Sequence, residues 1–146
     1  MIRRVPVTCG WRDQTMVGTM HEASHLAASG DRIALLLLNA GPAPRAGNSD
    51  LSAALADRLA ARGIPGFRFD LPGLGDSTGA SWPDIDTFWQ ASQRGHNDEA
   101  VITLVNDLCV RHRLRGVLFG GLCAGAIASV RVGEPLADRI AGLVLL

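Results

Sequence analysis

Cys123 is the residue that its neighbours best equip to act as a nucleophile. It is the centre of Gly121-Leu122-Cys123-Ala124-Gly125, a G-x-C-x-G lying between an apolar run and a helical stretch. At a sharp strand-to-helix corner the central residue takes strained backbone angles, and small neighbours let strand and helix approach. Gly120, Gly121, Ala124, Gly125 and Ala126 meet that demand. The same corner puts the sulfur at a helix N-terminus, where N–H groups and the helix dipole favour a thiolate. The Ala124 amide would then point at an acyl oxyanion. A second amide is expected from the loop after the first central strand, where Gly41 has an N–H to give and Pro42 and Pro44 have none. The chemistry implied is attack of Cys123 on an acyl carbon. The alternative is a tight packing turn around a buried cysteine.

The elements that must position these residues can be read around them. From Ile33 to Leu38 every position is apolar, the pattern of a parallel strand covered on both faces. PAPRAGN is a loop. SDLSAALADRLAARG predicts a helix capped by Ser49 or Asp50, with Leu51, Leu55 and Leu59 as its apolar stripe and Gly63 and Pro65 at its end. GFRFD is the next strand, ending at Asp70. The long connection from Leu71 to Asn97 carries Trp82, Phe88 and Trp89, with a short helix near DTFWQAS; connections of this length often line a site. Asp98 opens a helix whose Val101, Leu104, Val105, Leu108 and Cys109 share one face, with Arg111, His112 and Arg113 at its C-terminal end. GVLFGG is a strand, Cys123 to Val132 a helix, and Arg139 to Leu146 a final strand. Val5 to Cys9 and Thr15 to Met20 predict a hairpin-like start joined around Gly10 to Gln14. Strand, helix, strand is the unit that builds a mostly parallel sheet with flanking helices.

A second motif is FRFDLPGLGDSTG, Phe67 to Gly79. With it the chain resembles the α/β-hydrolase fold family, whose members commonly carry D-x-x-G-x-G-x-S at this place, here Asp70, Gly73, Gly75 and Ser77. LLNAGPAPRAG is similar to the variant of bacterial serine-aminopeptidase-like hydrolases, including those associated with exosortase systems, in which N-A-G replaces H-G at the oxyanion loop. The resemblance covers about Val17 to Leu146 and implies one incomplete α/β-hydrolase domain over residues 1–146, cut off after the strand that follows the nucleophile helix. It also implies a Ser, Asp or Cys nucleophile, carried over here to Cys123, then an acid on a later loop and a histidine after the last strand. Cysteine departs from the serine of most members and resembles the dienelactone hydrolases and polyhydroxyalkanoate synthases. Hydrolysis of an ester and transfer of an acyl group from an ester or thioester are therefore both implied.

His21, His25, His96 and His112 all precede Cys123, whereas this fold orders its parts as nucleophile, acid, histidine. His21 and His25 are expected in loops and His112 at a helix end, which leaves His96 as the nearest thing to a relay. Glu134 and Asp138 follow Cys123 but fall in a surface turn, and Asp70 and Asp76 are expected to shape their own loop. General acid–base help contributes roughly 10²–10⁴ in rate, so this chain is expected to be a poor or inactive enzyme by itself. A second reading, from another class, is a non-catalytic interaction module. In it the apolar edge AGLVLL would pair with a partner polypeptide or a second copy. A dinucleotide site at GLGDSTG is the third reading, though its glycines are not spaced G-x-G-x-x-G.

Composition narrows the partners. Lys+Arg 14 balance Asp+Glu 14, and the basic residues are scattered, which argues against nucleic acid. The N-terminus lacks the apolar run of a signal peptide, and no run approaches the roughly 20 residues that span a bilayer. A cytoplasmic protein acting on a small-molecule ester or thioester is expected. Cys9, Cys109 and Cys123 form an odd set without C-x-x-C spacing, so neither disulfides nor a metal site are expected, and no cofactor. Cys9 and Cys109 read as small buried apolar residues.

Overall fold

In a computed structural model that describes residues 1–24 and 32–145, the apolar run after Arg32 forms β3 (Arg32–Leu37) near the middle of a six-stranded sheet. The other strands are β1 (Ile2–Trp11), β2 (Gln14–Ala23), β4 (Gly66–Phe69), β5 (Leu114–Gly121) and β6 (Ile140–Leu145), in the order β1-β2-β4-β3-β5-β6. β4, β3, β5 and β6 are parallel, while β2 runs antiparallel to both β1 and β4. The helices are α1 (Leu51–Ala60), α2 (Ile85–Gln93), α3 (Asp98–Arg111) and α4 (Ala124–Arg131). This is the α/β class expected from the sequence.

Because successive strand residues face opposite ways, β3 feeds two cores. Ala34, Leu36 and Leu38 join Phe67, Phe69, Val117 and Phe119 beneath α3 and α4, while Leu35 and Leu37 pack with Ala56 of α1. α3 buries Val101, Leu104, Val105, Leu108 and Cys109, the face read from the sequence.

α1 departs from expectation in two ways. Asp50 lies in the left-handed region (φ 58) after a single 3₁₀ turn and makes no side-chain cap. The buried face is Ala53, Ala56 and Ala60 rather than the leucine stripe, and Leu51 is 53% exposed. Gly66 explains the rotation. A Cβ there would come within 3.0 Å of the Ala56 Cβ, so the helix lies too close to β4 for a larger side chain to fit between them.

The opening hairpin is longer than expected, with ten residues in each strand, and it contains His21. His21 is therefore not the loop residue expected from the sequence. It is fully buried, with Nδ1 bonded to Asp57 at 2.7 Å and Nε2 accepting from Arg68 Nε at 2.9 Å. Both ring nitrogens are satisfied, which is what permits the burial. His25 lies outside the described residues.

Candidate active site

β5 ends at Gly121 and α4 begins at Ala124, so Leu122 and Cys123 form the whole connection. Cys123 has φ 58 and ψ −114, a conformation that L-residues adopt only at an energetic cost. The flanking glycines are what make the corner possible. A Cβ on Gly121 would stand 2.5 Å from the Ala126 nitrogen, and one on Gly125 would stand 3.0 Å from the carbonyl oxygens of Leu38 and Asn39. The second contact matters for chemistry, because it holds the first turn of α4 against the end of β3, where the loop to Gly41 starts.

Cys123 is exposed, so the alternative of a buried cysteine in a packing turn does not describe it. Cys9 and Cys109 are the buried pair. Desolvation pushes the Cys9 thiol up to about 11 and raises that of Cys109, which leaves both poor nucleophiles at neutral pH. Among the described residues neither the Ala124 nor the Gly41 N–H is engaged in a hydrogen bond. Gly41 has φ +66, and Trp89 of α2 packs beside it. A small apolar cavity of about 40 Å³ touches Gly121 and the immediate neighbours of Gly41 and Cys123, Ala40 and Leu122.

The loop after β3 is held from beneath by Asn39 and Asp70, both buried. Asn39 Nδ2 donates to Asp70 Oδ1 at 2.8 Å and to the Ala43 carbonyl at 2.9 Å, and its Oδ1 accepts from the Leu71 amide at 2.8 Å. Asp70 also accepts from the Arg45 amide at 2.7 Å, the Asp76 amide at 3.1 Å and the Arg45 guanidinium. A Cβ on Gly75 would collide with the Asp70 carboxylate at 2.2 Å, which explains that glycine. Ser77 closes the motif, donating to the Asp70 carbonyl at 2.6 Å and accepting from Val17 at 2.8 Å. Asp70 is thus spent on backbone shape. Asn39 and Arg45 do as much of this work, and sequence reasoning had singled out neither; the N-A-G in place of H-G was the available signal.

Among the described residues, the histidines do not gather at the elbow. His21 is sequestered under α1, His112 caps α3 with its ring 4.9 Å from that of Phe67, and His96 stacks edge-on to Trp82 at 5.2 Å. Glu134 and Asp138 lie exposed in the turn before β6.

No protein-family model matches the sequence, and no curated protein matches it significantly. Solved structures do. An α/β hydrolase, GrgF, from Penicillium superposes with a TM-score of 0.76 at 20% identity, over 98% of this chain and 45% of its own. An α/β hydrolase from Novosphingobium aromaticivorans gives 0.70 at 20% identity, over 99% and 44%. This chain has the α/β-hydrolase fold. A dienelactone hydrolase-like promiscuous phosphotriesterase from metagenomic libraries shares that fold at 17% identity, with a TM-score of 0.75 over 99% of this chain and 59% of its own. The chain thus spans about half the length of these α/β-hydrolase structures. Among the described residues, no helix is long and apolar enough to cross a membrane.

Proposed function

We propose that Cys123 is the nucleophile of a cytoplasmic hydrolase or acyltransferase, of serine-aminopeptidase-like type, acting on an ester or thioester of a small acid. The observation that carries this reading is the strained backbone of an exposed cysteine between β5 and α4. Strain of this kind persists where surrounding structure enforces it, and it collects at catalytic turns. The Cys123 thiolate adds to the acyl carbon, and the Ala124 and Gly41 N–H groups receive the oxyanion. Collapse breaks the bond to the leaving alcohol or thiol, which takes up a proton from solvent. The resulting Cys123 thioester passes its acyl group to water or to a second acceptor. A cofactor has no part in these steps.

Cysteine needs less help from a base than serine does, because a few per cent of a free thiol is ionised at pH 7. The chain by itself therefore acylates slowly and turns over worse. An acid and a histidine from outside these 146 residues would supply the missing proton transfer within a single hydrolase domain. Mass spectrometry after native incubation with p-nitrophenyl acetate tests the reading. An acetyl adduct on Cys123 that Cys123→Ala abolishes is expected, and equal labelling of the two proteins would sink it.

One observation favours a second reading, a non-catalytic interaction module. Among the described residues β6 pairs with β5 alone, and Leu143, Val144 and Leu145 are 43%, 39% and 45% exposed. A strand from a partner polypeptide or a second copy would cover that edge. A monodisperse, stable monomer in sedimentation experiments would count against it.

A further inference from the structure

Because α1 buries its alanine face, Leu51 is left exposed and Leu55 half-buried. Both line the cavity of about 40 Å³ beside the elbow, together with Leu37, Leu122 and Val144. One side of this cavity is a single row across the sheet, since Leu37 pairs in register with Gly120 and Gly120 with Val144. Gly120 leaves the middle of that row without a side chain of its own, and α1 supplies the opposite wall. Ala40 and Leu122 also line the space, each one residue before a group of the proposed chemistry, Gly41 and Cys123. Consecutive Cα atoms are about 3.8 Å apart. An acyl group whose carbonyl sits at Cys123 therefore has the cavity within reach of the carbons that follow.

The lining selects what can enter. No Asp, Glu, Lys, Arg or His borders the cavity. Its polar side chains are Asn48 and Ser52, both at the entry to α1, and Asn48 is exposed. A charged acyl group would lose hydration there without gaining a partner, whereas alkyl carbons gain by leaving water. At roughly 10–15 Å³ for each water-sized group, the volume accommodates about three of them.

From this we infer that the cavity is the acyl pocket of the reaction at Cys123, and that it selects an uncharged alkyl chain of about four carbons, butyryl over acetyl. The inference rests on the reading of Cys123 as the nucleophile. The carbonyl stays at the sulfur between the Ala124 and Gly41 amides, and the carbons beyond it lie among Leu37, Leu55 and Val144.

The probes are p-nitrophenyl acetate, butyrate and hexanoate, each compared with its reaction with free N-acetylcysteine to remove differences in intrinsic reactivity. In every case the Cys123 sulfur bonds to the carbonyl carbon and the bond to p-nitrophenolate breaks. Release of p-nitrophenolate and the mass of the peptide carrying Cys123 thus report one step. Relative to the free thiol, the unaltered chain should prefer butyryl to acetyl by roughly tenfold, at up to about fourfold for each of the two added methylenes. Hexanoyl should gain little more, because the cavity is then full. Val144→Trp, at a position 39% exposed on β6, should fill the space and return the butyryl-to-acetyl ratio to that of the free thiol. Leu55→Ala enlarges it and should shift the preference toward hexanoyl. A Cys123 adduct that forms with no chain-length preference, or a preference that neither variant alters, overturns this inference and leaves the nucleophile standing. Absence of an adduct with all three esters overturns the reading of Cys123, and the acyl pocket with it.

Discussion

Replacing Cys123 by glycine should stabilise the protein while abolishing its acylation, and the comparison with alanine isolates the reason. At φ 58 and ψ −114 the backbone of Cys123 lies outside the small left-handed basin, and a residue held in such a region costs about 1–3 kcal/mol. The side chain is exposed, so truncation to alanine removes little packing, and the remaining Cβ preserves the strain. Glycine removes the Cβ and with it the strain. Against this stands the greater freedom of a glycine in the unfolded chain, about 0.4–1 kcal/mol. Cys123→Gly should therefore exceed Cys123→Ala in stability by about 1 kcal/mol, which for a chain of this size is about 3 °C in Tm. Thermal unfolding followed by far-ultraviolet circular dichroism reads the difference, and neither variant should acquire an acetyl group at position 123. If glycine proves no more stable than alanine, the corner is not strained and the main support for the nucleophile is gone.

Two further outcomes follow from the polar interior. Asp70→Asn should destabilise the fold by about 3–5 kcal/mol, as removal of one member of a buried ionic network does, and should slow acylation of Cys123; urea unfolding and the adduct rate measure the two effects. The pH dependence of stability should carry the mark of His21, whose folded pKa is lowered chiefly by burial, with the Arg68 and Arg4 charges adding to the effect against Asp57. A base with a depressed folded pKa takes up its proton in the unfolded state first. Stability is therefore full above about pH 6.5 and declines below it, by up to about 1.4 kcal/mol per pH unit. The Arg4 hydrogen bond holds the Asp57 carboxyl down at about 2, so its contribution is full above about pH 4 and is lost as pH falls toward 2. Denaturant titrations from pH 8 to pH 2 would show both, and a His21→Gln protein should lack the upper phase.

Much of this was legible because each residue's local demand agreed with its global place. The apolar run at β3, the spacing in α3 and the small residues around Cys123 each specify one kind of element, and each element formed. α1 misled because its leucines make a convincing stripe by period alone. What turned the helix was a tertiary fact, the absence of a side chain at Gly66, and no window confined to residues 49–63 contains it. His21 misled for a related reason. A histidine reads as a surface residue by its type, and only strand pairing and the packing of α1 bring Asp57 and Arg68 to its two nitrogens. The corner at Cys123 was the easier case, since the small residues that shape it are adjacent in sequence.

The same buried histidine gives the opening hairpin a part in the site. Arg4 of β1 binds Asp57 of α1, Asp57 binds His21 of β2, and His21 accepts from Arg68 of β4. Arg68 donates in turn to the Arg45 carbonyl at 2.8 Å, and Arg45 clasps Asp70, which holds Asn39. The carbonyl of Asn39 is what Gly125 must approach for α4 to begin where it does. One line of polar contacts therefore runs from the first strand of the chain to Asn39, against whose carbonyl the first turn of α4 packs closely. The antiparallel strands at this edge of the sheet thereby brace the loop whose Gly41 amide is the proposed second oxyanion donor. A loop positioned by a rigid sheet through several buried hydrogen bonds holds its donors in place before any substrate arrives, and such preorganisation is what makes donors effective in a transition state.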